Sequence, residues 1–149
     1  MVMGGDVHFD QSQIMVSRDD IERFLDRLTS DQGGHYREVE TGLWLVKPGG
    51  ELDFDVVVSL EGNVAVLHVK VMELPKESGA QATISRRLLE LNATDLIHGS
   101  YGIEHEAIVM TEALELGHLD YEEFRAAFES MTVALASHLR ELGAFREAR

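Results

Sequence analysis

His98, Glu104, His105, Glu106 and His118 crowd one stretch of the chain. Imidazole and carboxylate are common zinc ligands, and a pair of histidines with six residues between them in a hairpin would supply two of them. A zinc site needs three or four ligands that converge on one point. No His-Glu-x-x-His run or other strong ligand spacing is present. His105 falls at a predicted turn tip, where side chains diverge. The pattern therefore reads as solvated turn residues, and no metal or other cofactor is expected.

Other residue types with catalytic potential are no better placed. Ser100 sits between Gly99 and Tyr101, but the Gly-x-Ser-x-Gly elbow of a nucleophilic serine is missing. Asp53 and Asp55 lie two apart on an alternating run, as on the solvent face of a strand. Gly33-Gly34 and Gly49-Gly50 lack the lysine and helix start of a phosphate-binding loop. The chain has no cysteine, which removes disulfides, thiolate ligands and a thiol nucleophile. The residues point away from an enzyme and toward a binding protein.

Composition narrows the partner. The chain has 149 residues, enough for one domain with its own core. Its formal net charge is −14, a surface that repels nucleic acid and anionic membranes and attracts basic segments. The N-terminus lacks a basic start followed by a long apolar run, and no stretch approaches the roughly 18 apolar residues of a membrane span. A cytoplasmic protein without nucleic-acid or membrane partners is expected.

The elements that position these residues follow from periodicity. Residues 1–16 have weak periodicity and two early glycines, predicting a mobile arm before a single domain over 17–149. Ser17 followed by Asp19 and Asp20 predicts a helix start, with Ile21, Phe24, Leu25 and Leu28 on one face. Three strands are expected next: His35 to Lys47, interrupted at Gly42, then Leu52 to Leu60, then Val64 to Met72. A second helix covers about Gln81 to Asp95, and a second hairpin turns at Glu104-His105-Glu106. A long final helix carries Tyr121, Phe124, Phe128, Met131, Leu135, Leu139 and Leu142 at spacings of three and four. The order α-β-β-β-α-β-β-α, with short links between strands, predicts an α+β fold: an antiparallel sheet with helices packed on one face.

Four segments carry a family resemblance. They are Leu88-Leu89-Glu90-Leu91-Asn92, His98-Gly99-Ser100-Tyr101-Gly102-Ile103, Ala107-Ile108-Val109-Met110 and Leu119-Asp120-Tyr121-Glu122-Glu123-Phe124. With the preceding hairpin, this stretch over residues 17–142 resembles the class I type III secretion chaperones of the CesT/Tir type and the related YbjN domain family. The resemblance implies a homodimer in which apolar patches on the sheet and first helix receive an extended client segment. The segment often adds its backbone to a sheet edge. A YbjN-type regulatory protein, acting through protein contacts alone, is the alternative, and an unrecognised enzyme comes third.

Candidate binding residues come from unmatched apolar surface. Leu43, Trp44 and Leu45 make both faces of the first strand apolar, so one face needs cover, although a core role for Trp44 stays open. With Phe24 and Leu28 of the first helix they are the expected client site, placed on the first strand because it lies at or near a sheet edge. The second helix carries a stripe of Ile84, Leu88 and Leu91 and an adjacent one including Leu89, which marks it as the expected dimer interface.

Overall fold

The computed structural model describes residues 16–147. The expected arm therefore lies outside the described residues except for Val16, whose N–H donates to the Leu116 carbonyl at 3.0 Å. The first helix, α1, runs Arg18–Gln32. Ser17 caps it as the sequence suggested. The Ser17 hydroxyl accepts from the Asp20 N–H, and the Asp20 carboxylate accepts from the Ser17 N–H at 2.9 Å, so two otherwise orphaned donors are satisfied.

The exit from α1 is sterically demanding. A Cβ on Gly34 would lie 2.2 Å from the Lys47 carbonyl oxygen, and one on Gly49 would lie 2.1 Å from that of Gln32. Only two glycines let these backbones cross so closely. Gly34 and Gly49, one from each of the Gly-Gly pairs that lack the features of a phosphate loop, are thus a packing device.

The expected first strand is two strands. β1 (Gly34–Glu40) and β2 (Leu43–Pro48) fold back on each other at Thr41-Gly42, where Gly42 has φ 78°. β3 (Val56–Glu61) and β4 (Val64–Glu73) form the next hairpin. α2 (Ser78–Thr94) follows, then β5 (Ser100–Glu104), β6 (Ala107–Glu115) and α3 (Tyr121–Gly143), with a short 3₁₀ turn at Ala144–Glu147. The sheet has six antiparallel strands in the order β1-β2-β3-β4-β6-β5. The α+β class and the antiparallel sheet are as the sequence suggested. The extra strand arises because Gly42 reverses the chain instead of bending it.

Strand alternation sorts the core. Trp44, Val46, Val56, Val58, Ala65, Leu67 and Val69 are buried on the helical face, whereas Leu43, Leu45, Val57 and Val66 are half-buried on the opposite face. Ile21, Leu25 and Leu28 of α1 enter the core, as do Phe124, Phe128, Met131, Leu135 and Leu142 of α3. α3 begins with a second capping box, between Asp120 and Glu123. Phe128 is 2% exposed and its ring centroid lies 6.4 Å from that of Phe124. Phe128→Ala is expected to cost roughly 3–5 kcal/mol in denaturant unfolding, because the cavity adds to the lost burial.

Candidate functional site

Backbone pairing decides which groups at the sheet edges are free. The Gly42 carbonyl accepts from the Leu60 N–H at 2.9 Å. In an antiparallel ladder, alternate residues point to alternate sides. Trp44 and Val46 therefore pair toward β3, while Leu45 and Lys47 pair toward β1, opposite Arg37 and His35. Tyr36 and Glu38 consequently direct their N–H and C=O groups away from β2. Among the described residues, no group bonds to those backbone atoms.

Side chains from α1 hold this edge from the helical face. The Arg18 guanidinium donates through Nε to Glu38 Oε2 at 2.9 Å and also engages Glu38 Oε1. It reaches Glu22 at 2.9 Å as well. Glu38 Oε2 accepts the Gly42 N–H at 3.0 Å, and Glu22 Oε2 accepts the Trp44 indole N–H at 3.2 Å. The Tyr36 hydroxyl donates to Asp26. The bond from Arg18, followed by that from Gly42, holds the Glu38 carboxyl below the usual glutamate range. Burial, then the bond to Asp26, pushes the Tyr36 phenol up. The edge strand is thus fixed in position, and among the described residues its outer backbone has no partner.

The expected client residues do not form one groove. Trp44 and Leu28 are buried beneath α1 and within the core, so a partner cannot reach them. Phe24 is half-buried in the seam between α1 and α3, 6.1 Å from the Tyr121 ring and 5.6 Å from the Phe124 ring. Leu43 and Leu45 lie half-exposed on the opposite sheet face. The physical reason is the Gly42 turn. It moves Trp44 from the edge to the second strand, and alternation separates it from its neighbours.

The expected dimer residues divide similarly. Ile84, Leu88 and Leu91 are buried in their own protomer, and the apolar surplus of α2 reduces to Leu89, which is 68% exposed. Ile97, Val133, Ile103 and Val39 are further exposed apolar side chains that the sequence reading missed. Ile97 and Val133 flank a groove of about 690 Å³ beside His138. Ile97 follows Leu96 directly, and no periodicity distinguishes an inward residue from an outward one in so short a link.

The polar candidates make pairs. His98 meets Glu112 at 3.1 Å and His68 meets Glu104 at 3.1 Å. His98 and His118 line one groove with Glu115 and Glu123, while His105 sits at the opposite end of β5. Among the described residues, no three of His, Cys, Asp or Glu gather in a metal-binding arrangement. Ser100 is exposed at the start of β5, opposite Thr111. Asp53 and Asp55 precede β3 rather than lying in it, and Asp53 pairs with Lys47 at 3.5 Å.

This arrangement of helices and sheet has known counterparts. The model of the CesT_Tir_1 family matches residues 15–148. The chain belongs to that family. A search of curated proteins gives no match. Among solved structures, YbjN from E. coli superposes with a TM-score of 0.62 at 15% identity, over 85% of this chain and 93% of that one. The Pseudomonas aeruginosa type III secretion complex of ExoU and SpcU gives 0.61 at 12% identity, over 80% and 95%. The Yersinia pestis type III secretion chaperone SycH, in complex with a fragment of YscM2, gives 0.53 at 11% identity, over 77% and 96%. At these identities the likeness is one of fold, and the fold is that of type III secretion chaperones and YbjN. No helix among the described residues is long and apolar enough to cross a membrane.

The Ser17 cap and the Arg18 clamp share a pH signature. Asp20, through the Ser17 backbone bond first, and Glu38, through Arg18 first, are both held below their ordinary values of 3.8 and 4.5. A carboxylate lowered in the folded state contributes stability that is complete above its ordinary value. That stability disappears as the pH falls through the lower folded value. Thermal unfolding is expected to show a midpoint that starts to drop as the pH falls through these ordinary values and keeps dropping below them. Glu38→Gln is expected to lower the midpoint at pH 7 and to flatten this acid limb.

Proposed function

We propose that this chain is a cytoplasmic, homodimeric, chaperone-like or adaptor protein that holds an extended segment of a client polypeptide, without catalysis. The client adds as a strand along β1. The observation that carries this reading is the outward row of backbone groups at Tyr36 and Glu38, which have no partner among the described residues, on a strand held in place by α1. Backbone pairing supplies affinity that does not depend on sequence, and flanking side chains supply selectivity. Asp26, bonded to Tyr36, and the exposed Glu40 stand by that edge on a chain of net charge −14, so a client with basic flanks is favoured and its association slows with salt. Membership of the CesT_Tir_1 family supports the reading, as do chaperone complexes of the same fold.

The likeness to YbjN favours a second reading, a regulatory protein that meets folded partners through surface contacts. Hydrogen exchange separates the two. A client captured from the native cell, identified by mass spectrometry and returned as a purified segment, is expected to slow exchange at the Tyr36 and Glu38 amides at least about tenfold. Binding with those amides unchanged would favour the regulatory reading.

Light scattering at micromolar concentration is expected to give about twice the 16.6 kDa chain mass. Because Leu89 is exposed, Leu89→Glu should lower that mass toward the monomer with little change in melting temperature. A wild-type mass that stays at one chain under these conditions would remove the dimer from the proposal.

A further inference from the structure

The sheet has a second edge, at β5, and its chemistry is different. The Leu116 N–H donates to the Asn63 carbonyl at 2.9 Å, which sets the alternation through β4 and β6. Ser100, Gly102 and Glu104 then pair toward β6, and Tyr101 and Ile103 point outward. At Tyr101 the outward groups are already occupied. Its N–H donates to Asn92 Oδ1 at 2.7 Å, and its carbonyl accepts from Asn92 Nδ2 at 3.1 Å. A carboxamide offers one donor and one acceptor, as a strand residue does. Asn92 in the last turns of α2 therefore stands where a residue of a seventh strand would stand. The opposite amide orientation would set oxygen against oxygen and nitrogen against N–H, so the network assigns this one.

The Tyr101 side chain is held as well. Its hydroxyl lies 2.7 Å from His138 Nδ1 on α3, and His138 Nε2 lies 2.8 Å from the Asp95 carboxylate just beyond α2. In a neutral imidazole, Nε2–H donates to Asp95 and Nδ1 accepts from Tyr101. His138 and Tyr101 are both buried. The middle of the edge strand is thus tied at its backbone by α2 and at its phenol by α3.

The geometry points to Asn92 as the residue that closes the β5 edge to strand addition, so that the sheet can be extended at β1 and not at β5. With Tyr101 occupied, Ile103 is left as a single outward position, too few for an added strand to register on. Any contact between copies at this edge is then made by side chains such as Leu89 and Ile103, without a continuous sheet. The bearing of this closure on client docking rests on the function proposed above, whereas the closure itself can be tested with no client present.

The wild-type protein alone gives the first readout. Its Tyr101 amide is expected to exchange at least about tenfold more slowly than the outward amides of Tyr36 and Glu38. Asn92→Ala should speed exchange at Tyr101 by roughly that factor and leave the inward Gly102 amide unchanged. It should also produce species larger than wild type in light scattering. Adding Ile103→Pro, which removes the remaining outward donor without touching a bond to β6, should reverse that growth. Should Asn92→Ala fail to fold, Asn92→Asp keeps the acceptor for Tyr101 N–H and loses the donor, and should show the growth in weaker form. A wild-type Tyr101 amide as fast as Tyr36, or a folded Asn92→Ala of unchanged size, would overturn the closure. Loss of client binding with these results intact would instead count against the client-holding reading alone.

Discussion

An open sheet has two edges, and every edge strand turns half of its backbone groups away from its neighbour. Those groups must be satisfied by a side chain, by water or by another chain. Here the two edges meet this constraint differently. At β5 a carboxamide from the adjacent helix takes the place of a strand residue. At β1 the outward backbone of Tyr36 and Glu38 has no partner among the described residues. Among the described residues the two edges thus differ in what their outward backbone meets.

The β1 edge stays in register because α1 grips it by side chains. Arg18 serves as the hub, joining Glu22 and Glu38, while Glu22 also receives the indole N–H of the buried Trp44. The same carboxylates therefore tie a core residue, a turn amide and an edge strand to one helix. Each pair is only partly buried and of small worth alone. Acting together they fix the strand's orientation, and an ordered template loses less entropy when another chain is added. The tight crossing of Gly34 and Gly49 at the other end of β1 serves the same purpose by sterics.

Much of this was legible in the sequence. Ser17-Arg18-Asp19-Asp20 marks a helix start, and the three-four spacing from Tyr121 to Leu142 marks the long helix, since both signals are local. The stretch around Leu88 to Phe124 carries the family likeness. What was not legible depends on reversal and on alternation. Thr41-Gly42 reads equally as a kink or as a hairpin, and that one choice moves Trp44 from an edge to the core. Leu88 and Leu89 look alike in sequence, and only packing separates the buried one from the exposed one. Asn92 belongs to a segment of the family likeness, but its pairing gives no local signal, because its partner is the backbone of a residue nine positions away.

The most direct measurement uses the absence of native cysteine. A benzophenone label attached through Val39→Cys, at the end of β1, or through Ile103→Cys, on β5, can be irradiated with a bound client segment. Mass spectrometry then locates the adducts. Strand addition at β1 predicts client adducts from position 39 and few from position 103. Adducts from position 103 alone would contradict it.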